Sequence, residues 1–264
     1  MRNVLLIGAT SAIAQAVGRL LAREGARLLL WGRAREKLEI VAADFLGAVH
    51  RRIGVGEQSL DIGAVDGIII SSVVPPIDST LAFMADRYFH TKAMFVGPRT
   101  DLGIVNKYDN PFEVGADRLV NGVAGFYKYG GPCIIVDLGT TINFDVISKD
   151  AEYLGGAIAV GIGISVDALF SKTARLPLVD FRPPKSVVGT NTVASMRSGL
   201  YYGAIGMIDG ILERIIEKMG PDTKTVATGG QARLIVAGSR YLKTVDEHLT
   251  LEGLQMIWER NHRQ

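Results

Sequence analysis

"IIVDLGTTINFDVISKD", residues 134–150, is the stretch on which the reading of this sequence turns. An apolar run leads to Asp137, then come Leu138, Gly139, Thr140 and Thr141, and a second strand-like run extends from Asn143 to Ile147. Glycine at such a turn lets a ligand approach the backbone, and hydroxyl and N–H groups can cradle phosphate oxygens. Asp137 at the strand end can hold a cation beside them. A polar hairpin that only caps a β-meander uses the same residue types, so the stretch by itself leaves both readings open.

Working outward, residues 132–264 alternate apolar and turn-rich segments. Strands are predicted near 133–137, 143–147 and 155–160, in an antiparallel meander. Helices are predicted at "ISVDALFSKTARL" (164–176) and at 192–220, a strand at "KTVATGG" (224–230), and two more helices at 231–242 and 249–261. "ATGG", 227–230, could admit a nucleotide against the backbone, although a tight strand-to-helix turn has the same composition. Upstream, "VDGIIISSVVPP" reads as a strand stopped by Pro75 and Pro76, "STLAFMADRYF" as a helix and "AMFVG" as a strand. "PFEVGADRLVNGVAGFYKYG" has Pro111 near a helix start and Gly130 and Gly131 at its end.

The front of the chain has a different rhythm. "NVLLIG" is a strand, residues 11–25 a helix with Ser11 as N-cap, "ARLLLWG" a strand and residues 34–54 a helix. This βαβα order opens a parallel sheet. The basic residue and apolar run at the very start also suit a signal peptide, but they fit a strand running into a helix better.

Composition narrows the function classes. The chain has 264 residues, 48% hydrophobic and 21% charged, with a formal net charge of +2. That charge is too small to imply a nucleic-acid or acidic-membrane partner. Cys133 is the only cysteine, which rules out an intramolecular disulfide and fits a reducing cytoplasm. His50, His90, His248 and His262 are scattered without metal-ligand spacing. No apolar run is long enough to span a bilayer.

"YDNPFEVGADRLVN", 108–121, sets Asp117 beside Arg118 on a helix expected to begin at Glu113. A carboxylate next to a guanidinium can act as a general base with a substrate clamp, or form a surface ion pair. "SSVVPP", "VGPRTDLGI", this stretch, "VDLGTTINFDVI", "GGAIAVGIGISVDALF", "VGTNTVASMRSGLYYG" and "ATGGQA" occur in that order. Together, over about residues 45–264, they closely resemble the type III pantothenate kinases.

The resemblance implies an α/β fold of two ribonuclease-H-like domains of the actin and acetate kinase type, at about 1–122 and 123–264, in a homodimer. It implies transfer of the γ-phosphate of ATP to the 4′-hydroxyl of pantothenate, with Mg²⁺ and a monovalent cation, K⁺ or NH₄⁺. Asp117 is then the proton acceptor. Tyr108, Gly115, Ala116, Arg118 and Thr192 line the pantothenate site with it. Asp137 binds the monovalent cation, and Thr140 contacts ATP. Val160 stands where many members have proline, and "TTIN" replaces the commoner "TATT".

The family also opens with a first phosphate hairpin, "DxGNTN", which this sequence lacks. Residues 1 to about 44 resemble instead the Rossmann-like opening of a short-chain dehydrogenase/reductase. Gly8 is followed by Ala12 and Ala14 where glycines are usual, and Arg33 sits where a basic residue favours NADP. Tyr88 and Lys92 match that family's Tyr-x-x-x-Lys spacing by chance, without its surrounding strands. These features predict a chimera with absent or very low kinase activity, or an inactive scaffold that binds NADP.

Overall fold

The computed structural model describes residues 4–8 and 65–262, which fall into two compact units. One takes its described residues from the ranges Met1–Leu102, Phe112–Val120 and Leu254–Gln264, the other from Gly103–Pro111 and Asn121–Gly253.

The first unit contains a parallel sheet of β1 (Val4–Gly8), β2 (Gly67–Ser71) and β3 (Ala93–Phe95), with β2 in the middle. Every residue of β2, "GIIIS", is buried, as a central parallel strand requires. Helix α1 (Pro75–Phe89) packs Leu81 and Ala85 against Ile68 and Ile70. Pro75 and Pro76 open this helix, which therefore starts earlier than the predicted Ser79. Proline suits the first helical positions because the N–H it lacks would have no intrahelical partner there. At Gly67 an added Cβ would lie 2.1 Å from ring carbons of Trp258, so this contact requires glycine. The strand predicted at "NVLLIG" corresponds to β1. The second strand and both helices predicted between residues 11 and 54 lie outside the described residues.

The second unit is built on a six-stranded sheet of order β4-β7-β6-β5-β8-β9. The strands are β4 (Val105–Asn106), β5 (Cys133–Leu138), β6 (Thr141–Ile147), β7 (Glu152–Val160), β8 (Lys224–Thr228) and β9 (Thr244–Val245). β5, β6 and β7 form the predicted antiparallel meander, and β8 adds to β5 in parallel. Alternation divides the side chains between two faces. Ile134, Val136, Leu138, Ile142 and Phe144 join a core with Tyr201, Ile205, Ile208 and Leu212 of α4 (Thr192–Met219). Ile162 of α3 (Ile162–Ser171) and Ile235 of α5 (Ala232–Val236) belong to the same core.

The other face meets α2 (Ala116–Tyr129). Gly125 lets that helix approach closely, since a Cβ there would lie 2.3 Å from Ile135 Cδ1. Gly122 sits similarly against Ile147 and Tyr153.

Three sequence expectations need correction. Glu113 does not begin α2; it ends a short 3₁₀ turn (Pro111–Glu113), and α2 starts at Ala116 because the Arg118 and Leu119 N–H groups donate to Gly115 O. The helix predicted over 231–242 is only Ala232–Val236. There the Ser239 hydroxyl accepts from the Tyr241 and Leu242 N–H groups and donates to Asp209, which replaces helical bonds with a turn. The helix predicted over 164–176 is displaced to α3, and its C-cap is Lys172. Helix α6 (Leu249–Asn261) falls where it was predicted.

A charged cluster ties the end of α2 to the start of α6. Lys128 forms ion pairs with Asp246 and Glu252, and the Tyr129 hydroxyl donates to Asp246 Oδ2 at 2.7 Å. Burial would raise the Asp246 carboxyl, but hydrogen bonds from Lys128 and Tyr129 outweigh it and hold it below the usual carboxylate range. Burial and Asp246 together push the Tyr129 hydroxyl up to about 12. A carboxylate whose folded value is depressed stabilises the protein above its unfolded value of about 4 and loses that contribution as pH falls through the folded value. Asp246→Ala is therefore expected to cost about 2–3 kcal/mol at pH 7, less than a fully buried pair because Lys128 keeps 25% of its side-chain surface in water. Urea denaturation at pH 7 and pH 3 measures this, with the gap between variant and parent narrowing at pH 3.

Candidate active site

The predicted hairpin is built as a tight turn. The Gly139 N–H donates to Thr141 O at 3.1 Å, closing β5 onto β6. Two further strand ends pack against it. A Cβ at Gly161, after β7, would lie 2.0 Å from Thr140 O. A Cβ at Gly229, after β8, would lie 2.7 Å from Leu138 O and 2.9 Å from Asp137 Oδ1, at a φ of +92°. Glycine is needed at both places, for approach at the first and for approach and backbone conformation at the second. "ATGG" is thus a tight strand-end turn seated against the Asp137 carboxylate.

Asp137 is 8% exposed and faces the α2 side of the sheet. Its ladder neighbours are Asn143 on β6 and Thr228 on β8, both buried, so a polar row crosses the end of the sheet. From α2, the Asn121 Nδ2 donates to Asp137 Oδ2 at 3.1 Å. The Thr250 hydroxyl in turn donates to Asn121 Oδ1 at 2.7 Å. Thr141 Oγ1 donates to Asn143 Oδ1 at 3.2 Å. A buried carboxylate surrounded by oxygen-bearing side chains suits a hard cation of low charge. Among the described residues, no group of three or more His, Cys, Asp or Glu could form a metal cage.

Gly139 and Gly163, by contrast, have room. Nothing lies within 4 Å of a Cβ placed on Gly163, in the first turn of α3, and the nearest atoms to one on Gly139 are at 3.6 Å or more. The N-cap of α3 is Gly161, which supplies no side-chain cap to the first N–H groups. Thr140 is exposed beside these turns.

The remaining predicted residues lie elsewhere. Tyr108 comes after β4 and is half-buried, its ring over Gly155 of β7. Thr192 is exposed at the first position of α4, where Asn191 caps the helix by accepting from the Ala194 N–H at 2.9 Å.

Gly115, Ala116, Asp117 and Arg118 belong to the first unit. Asp117 folds back on the helix start, with Oδ1 accepting from the Arg118 N–H at 2.9 Å. A Cβ at Gly115 would lie 2.6 Å from that oxygen and 3.3 Å from Val73 of the "SSVVPP" stretch. The glycine before this aspartate therefore makes room for the carboxylate. Arg118 is 6% exposed, so it is not the loose surface partner that its sequence position allowed.

Asn121 and Thr250 went unassigned from sequence. Asn121 lies in the quoted "GADRLVN" run, and that was its only signal. Thr250 is remote in sequence and had none. Cys133 is fully buried, and burial pushes its thiol up to about 12, away from the thiolate form that a nucleophile needs.

Comparison with known proteins shows the family of the chain. The family model described as type III pantothenate kinase matches residues 39–214. A protein of Solibacter usitatus named type III pantothenate kinase is 72% identical over 239 residues, 90% of this chain and 91% of that protein. One of Koribacter versatilis with the same name is 60% identical over 203 residues, 77% of this chain and 74% of that protein. A solved Campylobacter jejuni structure, described as a Baf family transcriptional activator, superposes with a TM-score of 0.51 at 17% identity. It covers 81% of this chain and 88% of that one, a likeness of fold alone.

The Solibacter alignment takes in 239 of 264 residues, so it cannot leave out the whole of residues 1 to 44. The family match likewise begins at residue 39, ahead of the expected boundary. The reductase-like reading of the first 44 residues, and the chimera built on it, gain no support from these matches.

Asn121→Ala takes away a donor to a buried carboxylate, which costs about 1–3 kcal/mol. Asn121→Asp is expected to cost more at pH 7 than at pH 4, because it sets two buried carboxylates together and one of them can be relieved by protonation. Chemical unfolding at the two pH values tests both expectations.

Proposed function

The chain belongs to the type III pantothenate kinase family, and from that premise we propose that it transfers the γ-phosphate of ATP to the 4′-hydroxyl of pantothenate, with Asp117 as proton acceptor. The observation that carries the assignment of Asp117 is local. Its carboxylate has a defined seat, made by the missing side chain of Gly115 and the Arg118 N–H. A base held in one rotamer meets a hydroxyl without the entropy cost of finding its orientation.

In this reading Tyr108, Gly115, Ala116, Arg118 and Thr192 bind pantothenate. Thr140 contacts ATP, and the open backbone at Gly139 and Gly163 receives phosphate oxygens, as uncapped helix N-termini do. Phosphoryl transfer leaves little covalent chemistry to the protein, so these groups act by position and charge. Asp137 fits a monovalent cation, K⁺ or NH₄⁺, because a single buried carboxylate is flanked by amide and hydroxyl groups. Mg²⁺ would be held mainly by the ATP phosphates, since a three-ligand protein cage is absent among the described residues. When bound, the cations neutralise charge on the phosphates.

We place the protein in the cytoplasm, as a homodimer without nucleic-acid or membrane partners. Exposed Leu154, Ile158 and Val160 on β7 and Phe170 on α3 support self-association. No helix among the described residues is long and apolar enough to cross a membrane. The expectation of an inactive scaffold has no support in a 72% identity to a named kinase. Of the residues on which NADP binding rests, Ala12, Ala14 and Arg33 lie outside the described residues, and the comparisons give that reading no support.

The test is ADP release that depends on pantothenate. Asp117→Asn is expected to lower kcat by about 10²–10⁴-fold with an unchanged melting temperature. Full turnover by that variant removes Asp117 from the mechanism.

A further inference from the structure

β7 carries an irregularity that changes which side chains share a face. Ile147 pairs with Tyr153 and Val146 with Gly155, so the register shifts by one residue between them. Such a bulge reverses side-chain alternation along the strand. Ala157 and Ala159 consequently join the α4 core, whereas Tyr153, of the same parity, lies on the α2 face against Gly122. Gly155 sits within the bulge at a φ of +104°.

The result is a platform under Tyr108. The Tyr153 hydroxyl donates to Asp145 Oδ1 at 2.7 Å, and both residues are fully buried. The Tyr153 and Tyr108 ring centroids are 6.4 Å apart, within the range of attractive aromatic contact. A Cβ at Gly155 would stand 3.2 Å from the Tyr108 ring, so glycine leaves the space in which that ring lies. The backbone is stitched down alongside. Val105 N–H donates to Ala151 O at 2.8 Å, Lys107 N–H to Tyr153 O at 2.9 Å, and Tyr108 N–H to Asn106 Oδ1 at 3.0 Å.

We propose that Tyr153, anchored by Asp145 and brought to this face by the bulge at Gly155, is a positioning residue that sets the Tyr108 ring for pantothenate. This deepens the function proposed above and rests on it. Asp145 is fully buried and is not among the residues assigned above to phosphoryl transfer. Its hydrogen bond fixes the Tyr153 ring, and the ring fixes the half-buried tyrosine above it.

The experiment measures KM for pantothenate and for ATP separately, and pantothenate affinity by calorimetry without ATP. Tyr153→Phe keeps the ring and removes the anchor, and is expected to raise the pantothenate KM and Kd about tenfold. The KM for ATP and kcat stay within about twofold. Gly155→Ala pushes on the Tyr108 ring and strains the bulge at its φ of +104°, so it disturbs the same platform by a second route and moves the same two constants in the same direction. Ile208→Val, in the core on the opposite face, serves as a control that lowers stability without moving either KM. An unchanged pantothenate KM and Kd in both Tyr153→Phe and Gly155→Ala, or equal rises for both substrates, overturns the inference alone. A parent protein without pantothenate-dependent ADP release overturns it together with the function on which it rests.

Discussion

A carboxylate taken almost wholly out of water must be compensated by hydrogen bonds or bound charge, and Asp137 imposes that condition on the second unit. It stands at the end of β5, between β6 and β8, where the ladder allows only Asn143 and Thr228 as lateral neighbours. Asn121 must then arrive from α2, which is why glycines at 122 and 125 bring that helix close to the sheet. Thr250 orients the Asn121 amide, and it can do so only because α6 begins where it does. Gly229 completes the enclosure, since any side chain there would strike the carboxylate it shelters. The polar row is thus a consequence of placing one acid at the end of a strand.

The two faces of the six-stranded sheet divide the labour. The face toward α4 is apolar and closely packed, and a structure of this kind is rigid because interiors fill space as organic crystals do. The face toward α2 carries Asp137, Asn143, Asp145 and Tyr153. Segregating polar groups onto one side leaves the other to supply the hydrophobic stabilisation, at roughly 25 cal/mol for each Å² of apolar surface buried.

The sequence was most legible where pattern and length agreed. The meander was found because apolar β-branched runs are divided by Gly139 and by Lys149–Asp150, and α4 because its periodicity continues to Gly220. Periodicity misleads where side chains compete with the backbone for hydrogen bonds. Residues 231–242 look helical by composition, yet Ser239 and Asp209 capture the N–H groups that would extend α5. Pro75 and Pro76 look like breakers but begin a helix, because the amphipathic run from Ile77 onward continues them in helical geometry. The two-residue strands β4 and β9 carry no periodic signal at all. Among the candidate residues, Asp117 in the first unit and Asp137 in the second stand out from the sequence by the motifs around them. Their supports do not, because Thr250 reaches Asn121 across 129 residues, and contacts that distant leave no local pattern.

β5 is bonded to β6 in antiparallel fashion through a two-residue turn, and to β8 in parallel across all of α3 and α4. These two pairings differ greatly in the chain entropy needed to form them. The hairpin can close locally and early, whereas β8 can dock only after a long intervening segment has been gathered in. Gly229 lies just past β8, so its side of the Asp137 enclosure costs more chain entropy to close than the Asn143 side. The desolvation of the carboxylate is thereby coupled to the costlier closure, since burial is complete only where Thr228 and Gly229 stand beside it.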